Sequence, residues 1–217
     1  MIHAYSESYL ADTKNRLAAM FDYAMIDCGR TSELFTAIFL NSGVAGKIER
    51  GDPGLIAGQS GVETVQAMLR KSGWESSIAE PVFSQERSPE YWAGWALAEY
   101  QWETGRSFRD ILTRIPLRRV IGMYALYHEM DISQFIAAME QQYAAAELDA
   151  KLKRIRENRD LTQQELAKLS GVSLRSIQMY EQRVNDIDRA QAQTLFKLSR
   201  VLGCNIEDLL EHPLAKE

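Results

Sequence analysis

The stretch LKRIRENRDLTQQELAKLSGVSLRSIQMYEQ, residues 152–182, constrains the fold more than any other part of the chain. Thr162-Gln163-Gln164-Glu165 has the spacing of a capping box, in which the Thr hydroxyl accepts from a first-turn N–H and the Glu reaches back to the cap. The helix that follows presents Leu166, Ala167 and Leu169. It must end at Gly171, the residue best suited to the left-handed conformation of a tight turn. Val172 staples that turn, and Ser173 caps a second helix that buries Ile177 and Tyr180. Ala167 is small where the second helix has to cross. Upstream, Leu152, Ile155 and Arg156 begin a helix that ends near Asp160. The order of cap, small residue, glycine and cap describes two helices packed steeply around a short turn.

Charge and aromatic content divide the chain around this stretch. Across all 217 residues, 25 Lys+Arg oppose 30 Asp+Glu, a net of −5 that argues against a general polyanion binder. Residues 148–217 hold 12 basic and 11 acidic groups, whereas residues 1–147 hold 13 and 19. Within 151–203 the balance is 11 to 6, so positive charge is concentrated there. All four Trp (Trp74, Trp92, Trp95, Trp102) lie in the first half. Two domains, 1–147 and 148–217, are therefore expected. The joining text, Gln141 to Lys151, has neither Gly nor Pro and is rich in good helix formers, which predicts a helical link.

The ordered features of residues 148–210 resemble the helix-turn-helix of the phage-repressor and Cro type, the XRE-like family. The likeness extends to a fourth helix, Ala190–Leu202, with Ala192, Leu195, Leu198 and Val201 facing inward and Gly203 ending it. Ile206 to Leu210 would be the short fifth helix. The resemblance implies that the second helix of the motif enters the major groove of duplex DNA with its N-terminal residues at base edges. By position these are Ser173, Leu174, Arg175, Gln178 and Met179. Arg175 suits guanine, Gln178 adenine, and Leu174 a thymine methyl. Gln163, Gln182 and Arg183 fall where backbone contacts are implied. One departure stands out: after Tyr180-Glu181 the family commonly turns on an Asn/Arg-Gly pair, and here the residues are Gln182-Arg183. Asp186 and Asp188 in the ensuing loop are poor neighbours for phosphate.

The first half resembles no family. Its spacing predicts a helix over residues 8–28 and a short helix capped by Ser32 through Leu40. Six of the thirteen glycines fall between Gly43 and Gly61, which reads as loop. A helix resumes at Val62–Lys71. Ser88-Pro89-Glu90 is a start signal. Short helices are expected at Phe108–Ile115 and Leu117–Tyr127, separated by Pro116, and a last one capped by Asp131.

Catalytic patterns are lacking. Ala57-Gly-Gln-Ser-Gly61 misses the G-x-S-x-G spacing, so Ser60 reads as a helix cap. Asn41 to Lys47 lacks the phosphate-loop spacing. His128-Glu129 is not H-E-x-x-H, and the three His are scattered, which leaves no zinc pattern. Cys28 and Cys204 are too few for a disulfide framework. Trp92, Trp95 and Trp102 share a helical face with Glu99, as in a core or a subunit interface. Arg106, Arg109, Arg114, Arg118 and Arg119 form a basic run that reads by default as a solvated face.

No apolar leader or membrane span is visible, so a cytoplasmic protein is expected. The sum is an all-α chain: an N-terminal helical domain followed by a five-helix repressor-type helix-turn-helix domain. The expected function is sequence-specific binding of double-stranded DNA as a transcriptional regulator, in the main as a repressor and a homodimer. Neither catalysis, metal nor cofactor is implied. The alternatives are an antitoxin that also represses its own operon, with a toxin as protein partner of the first half, and a helix-turn-helix used for protein interaction. A small-molecule effector is the remaining option for the first half.

Overall fold

The structure is a computed structural model that describes residues 3–56, 58–82 and 86–212. Ala57 and the last five residues of the expected second domain lie outside the described residues. All regular elements among the described residues are helical. The first are α1 (Leu10–Asp22), α2 (Ser32–Asn41), α3 (Val44–Glu49), α4 (Pro53–Ile56), α5 (Gly61–Lys71) and α6 (Pro89–Thr104). Then come α7 (Phe108–Arg114), α8 (Leu117–Gly122), α9 (Tyr124–Tyr127) and α10 (Ile132–Leu148). The last five are α11 (Lys151–Glu157), α12 (Gln163–Ser170), α13 (Leu174–Glu181), α14 (Ala192–Leu202) and α15 (Ile206–Leu209). The chain divides into two compact units, residues 1–142 and 143–217, with the division inside α10.

In the first unit α1 is the central helix, and it continues into a wider π-turn over Tyr23–Asp27. Two glycines let neighbouring helices reach its backbone. A Cβ on Gly94 of α6 would lie 2.6 Å from the Leu17 carbonyl oxygen and 2.8 Å from Ala18 Cα. One on Gly61 of α5 would lie 2.7 Å from the Arg16 carbonyl oxygen. Phe21 of α1 meets Phe35 edge-on at 5.0 Å, and Phe39 of α2 meets Phe108 of α7 at 5.3 Å, so one aromatic cluster joins three helices.

Several starts follow the sequence. The Ser88 hydroxyl accepts from Tyr91 N–H at 2.9 Å, with Pro89 in the first turn. Ser60 and Glu63 form a reciprocal capping box, so Ser60 is a structural cap. Others differ. Thr31, not Ser32, caps α2, accepting from Leu34 N–H at 3.2 Å. The glycine-rich stretch is not all loop, because it holds α3 and α4. Gly43 (φ +86°) and Gly51 (φ +68°) break the chain on either side of α3, while Ala45 and Ile48 anchor that helix in the core. Leu117–Tyr127 is two helices parted at Met123.

The expected Trp face is packed inside its own unit. Trp102 is buried and donates to the Tyr5 carbonyl, Trp95 lies under the Lys14 ammonium, and Trp92 meets Phe135 edge-on at 5.2 Å. Trp74 is exposed. The arginine run is mostly engaged as well. Arg106 pairs with Glu140, Arg109 donates to Asn41 at 3.0 Å, and Arg114 bonds Asp110 at 3.1 Å.

The link is not one unbroken helix. α10 ends at Leu148, Ala150 is extended (ψ 139°), and α11 begins at Lys151. Helix propensity is outweighed here by polar bonds, one local and one from far along the chain. Asp149 accepts from Lys153 Nζ at 2.7 Å, and the Lys151 N–H is taken by Glu211 at 2.8 Å.

Candidate nucleic-acid interface

The second unit closes around Leu152 and Ile155 of α11, Leu166 of α12, Ile177 of α13, Ile187, Leu195, Leu198 and Leu202 of α14, and Leu209 of α15. Each such side chain contributes about 1.5–3 kcal/mol when fully buried. Val172 and Tyr180 pack partly buried against this cluster. Thr162 and Glu165 form the capping box, and Gly171 (φ +65°) ends α12 in the left-handed conformation. Ser173 caps α13 through Ser176 N–H at 3.0 Å. The inward assignment of Ala192 is corrected, and Leu169 does not share the burial of Leu166. Leu169 is 61 % exposed, and Ala192 is exposed, because the buried stripes run through Leu166 and Ser170 on α12 and through Leu195 and Ser199 on α14.

α13 buries Ile177 and Glu181 on one side. At 3.6 residues per turn, Arg175, Met179 and Gln182 fall on the opposite side, Gln178 flanks them, and Leu174 lies at the helix start nearer the buried side. Arg175 and Gln182 are exposed, and Leu174, Gln178 and Met179 are half-buried. Ser173 is committed to its cap, and its hydroxyl also meets Ser176 Oγ at 2.7 Å. The five expected base-reading residues thus occupy the start and outer side of one helix.

Gln163 opens α12, and its amide donates to Glu181 Oε2 at 2.7 Å. Glu181 also receives Arg156 of α11, Nε to Oε1 at 2.7 Å and Nη2 to Oε2 at 2.8 Å. The carboxylate hydrogen bonds raise the Arg156 pKa above its already high value, against the opposing effect of burial, so the guanidinium stays charged. This three-helix junction was missed in the sequence. Its signal was there: Glu181 stands four residues after Ile177, on the inward stripe, where an ionised side chain needs a partner.

The departure after Tyr180-Glu181 is resolved by Arg183. It takes φ +56°, the conformation that the expected glycine would supply, and the chain turns with Val184 N–H on the Met179 carbonyl at 2.9 Å. The Arg183 guanidinium donates to the Asp149 carbonyl at 3.2 Å. The loop carboxylates are used internally. Asp186 accepts from Asp188 N–H at 3.0 Å, and Asp188 accepts from Glu211 and His212 N–H at 2.7 and 2.9 Å. Burial alone would raise the Asp188 pKa, but the His212 and Glu211 N–H groups together hold it below the usual range. Burial pushes the Cys204 thiol up to about 12, which leaves it unreactive. Among the described residues, no group of three or more His, Cys, Asp or Glu could hold a metal ion.

Residues 152–209 match the family model described as Helix-turn-helix. The C-terminal unit therefore carries an XRE/Cro-type helix-turn-helix domain, which supports a general role in DNA-binding regulation. No family model matches the first half. No curated protein and no solved structure matches the chain. No helix among the described residues is long and apolar enough to cross a membrane.

Proposed function

We propose that the protein is a transcriptional repressor that reads a short duplex operator as a homodimer. The observation that carries this reading is the outer side of α13. Exposed Arg175 has no hydrogen-bonding or ionic partner among the described residues, and it shares that side with Met179 and Gln182, opposite the buried Ile177. Arg175 pairs with guanine O6 and N7, Gln178 with adenine, and Leu174 packs on a thymine methyl. Gln163, held by Glu181, uses its remaining N–H groups on a phosphate, and Gln182 and Arg183 lie along the backbone. One such helix reads only a few base pairs. Useful selectivity therefore calls for two copies on half-sites about 34 Å apart. The first unit supplies pairing or sensing.

Binding of the full-length protein to genomic fragments, followed by mobility shift from about 50 to 200 mM salt, tests the reading. Affinity should fall steeply as condensed counterions are released. Absence of binding at low salt would reassign the domain to protein interaction.

A further inference from the structure

The glycine-rich stretch builds one wall of a cleft in the first unit. The cleft has a volume of about 190 Å³ and lies between the α2–α3 turn, the segment around Leu55 and Gln59, and α5. Its floor is apolar, with Met68 and Leu55 buried and Val44 beside them. Its polar lining is one-sided. Lys47 and Lys71 face it together with Gln59, and none of the ten lining residues is acidic. This stands out in a half where acidic groups outnumber basic ones by 19 to 13. The Lys47 ammonium has no partner among the described residues. Lys71 makes one long bond of 3.3 Å to the Ser42 carbonyl, which a stronger acceptor can replace.

We propose that this cleft binds a small organic carboxylate with a short apolar body, its charge between Lys47 and Lys71 and its chain on Met68 and Leu55. An apolar floor with a few convergent polar groups is the usual make-up of a small-ligand site. Two ammonium groups without a lining carboxylate select for negative charge. The inorganic ion alone would gain nothing from the floor, and a neutral analogue nothing from the lysines.

Calorimetric titration of the full-length protein with hexanoate, hexanamide and inorganic phosphate tests this. Hexanoate should bind in the millimolar range or tighter, with hexanamide and phosphate each at least tenfold weaker. The double variant Lys47→Ala/Lys71→Ala should lose at least tenfold for hexanoate. Both lysines are exposed, so an unchanged circular dichroism spectrum is expected of that variant. Hexanoate binding that survives in the folded double variant, phosphate binding as tightly as hexanoate, or no hexanoate binding at 20-fold above about 1 mM would each overturn the proposal. The titration uses no DNA, so its failure leaves the nucleic-acid reading untouched.

Discussion

Arg156 grips both carboxylate oxygens of Glu181, at 2.7 and 2.8 Å, across 25 positions of sequence and with both side chains buried. Because Gln163 joins the same carboxylate, the pair fixes where α12 begins relative to α13. Glu181→Ala would leave a buried guanidinium without its counter-charge and should cost about 3–5 kcal/mol. Arg156→Met/Glu181→Leu should cost clearly less than the single change. Hydrogen exchange of the α12 and α13 amides in the full-length variants measures both, and equal losses would contradict the account.

Arg175→Ala should weaken operator binding by about 1–3 kcal/mol and relax preference at one base position. Gln163→Ala should weaken all sequences alike, since phosphate contacts position the protein without specifying sequence. Selection from a random-site library with each variant separates the two. An unchanged selected site for Arg175→Ala would mean that α13 is not the reading helix.

Arg183→Gly should stabilise the second unit by roughly 0.5–1 kcal/mol. Relief of the left-handed conformation, about 1–2 kcal/mol, outweighs the extra chain entropy of glycine. The half-exposed contacts of its guanidinium with Glu211 and the Asp149 carbonyl offset only part of this. If Arg183 also meets a phosphate, the same variant should show a salt slope shallower by about 0.9. Urea denaturation and a salt series on one sample read both effects.

Much of this domain was legible because its signals are local: a Thr-x-x-Glu box, a glycine that must turn, a serine that must cap. What escaped the sequence depends on long-range partners. Nothing near Ala150 announces that Glu211, sixty residues on, takes the Lys151 N–H and helps to interrupt the link. Likewise, the glycine-rich stretch reads as loop until Ile48 finds a core to enter. The outward turn of Leu169 was hidden because an apolar residue one position off a buried stripe has the same periodic signature as one on it. The proposed base-reading row rests on resemblance, and the structure adds that one of its members, Ser173, is committed to capping α13.

Acid should erode stability through the caps. Backbone and side-chain bonds from Thr162 hold Glu165 below the usual carboxylate range, and those from Ser60 do the same for Glu63. A carboxyl whose pKa is lower folded than unfolded contributes fully above its unfolded value. That contribution is lost as pH falls through the folded one. Thermal midpoints should thus be flat from pH 7 to about 5 and drop below about 4. Glu165→Gln/Glu63→Gln should lower the plateau and flatten the acid limb, and an acid limb as steep as the parent's would argue against the caps as its source.

Gly61 and Gly94 set the heredity of the first half. Wherever a distant cousin keeps α1 pressed against α5 and α6, its alphabet at these two sites shrinks to glycine, because even a methyl would meet backbone at 2.6–2.7 Å. The aromatic cluster, by contrast, can trade Phe for other bulky apolar residues with modest repacking. A search for kin of this half should therefore weight two absent side chains, 33 positions apart and straddling a serine-capped helix start, above the conspicuous tryptophans.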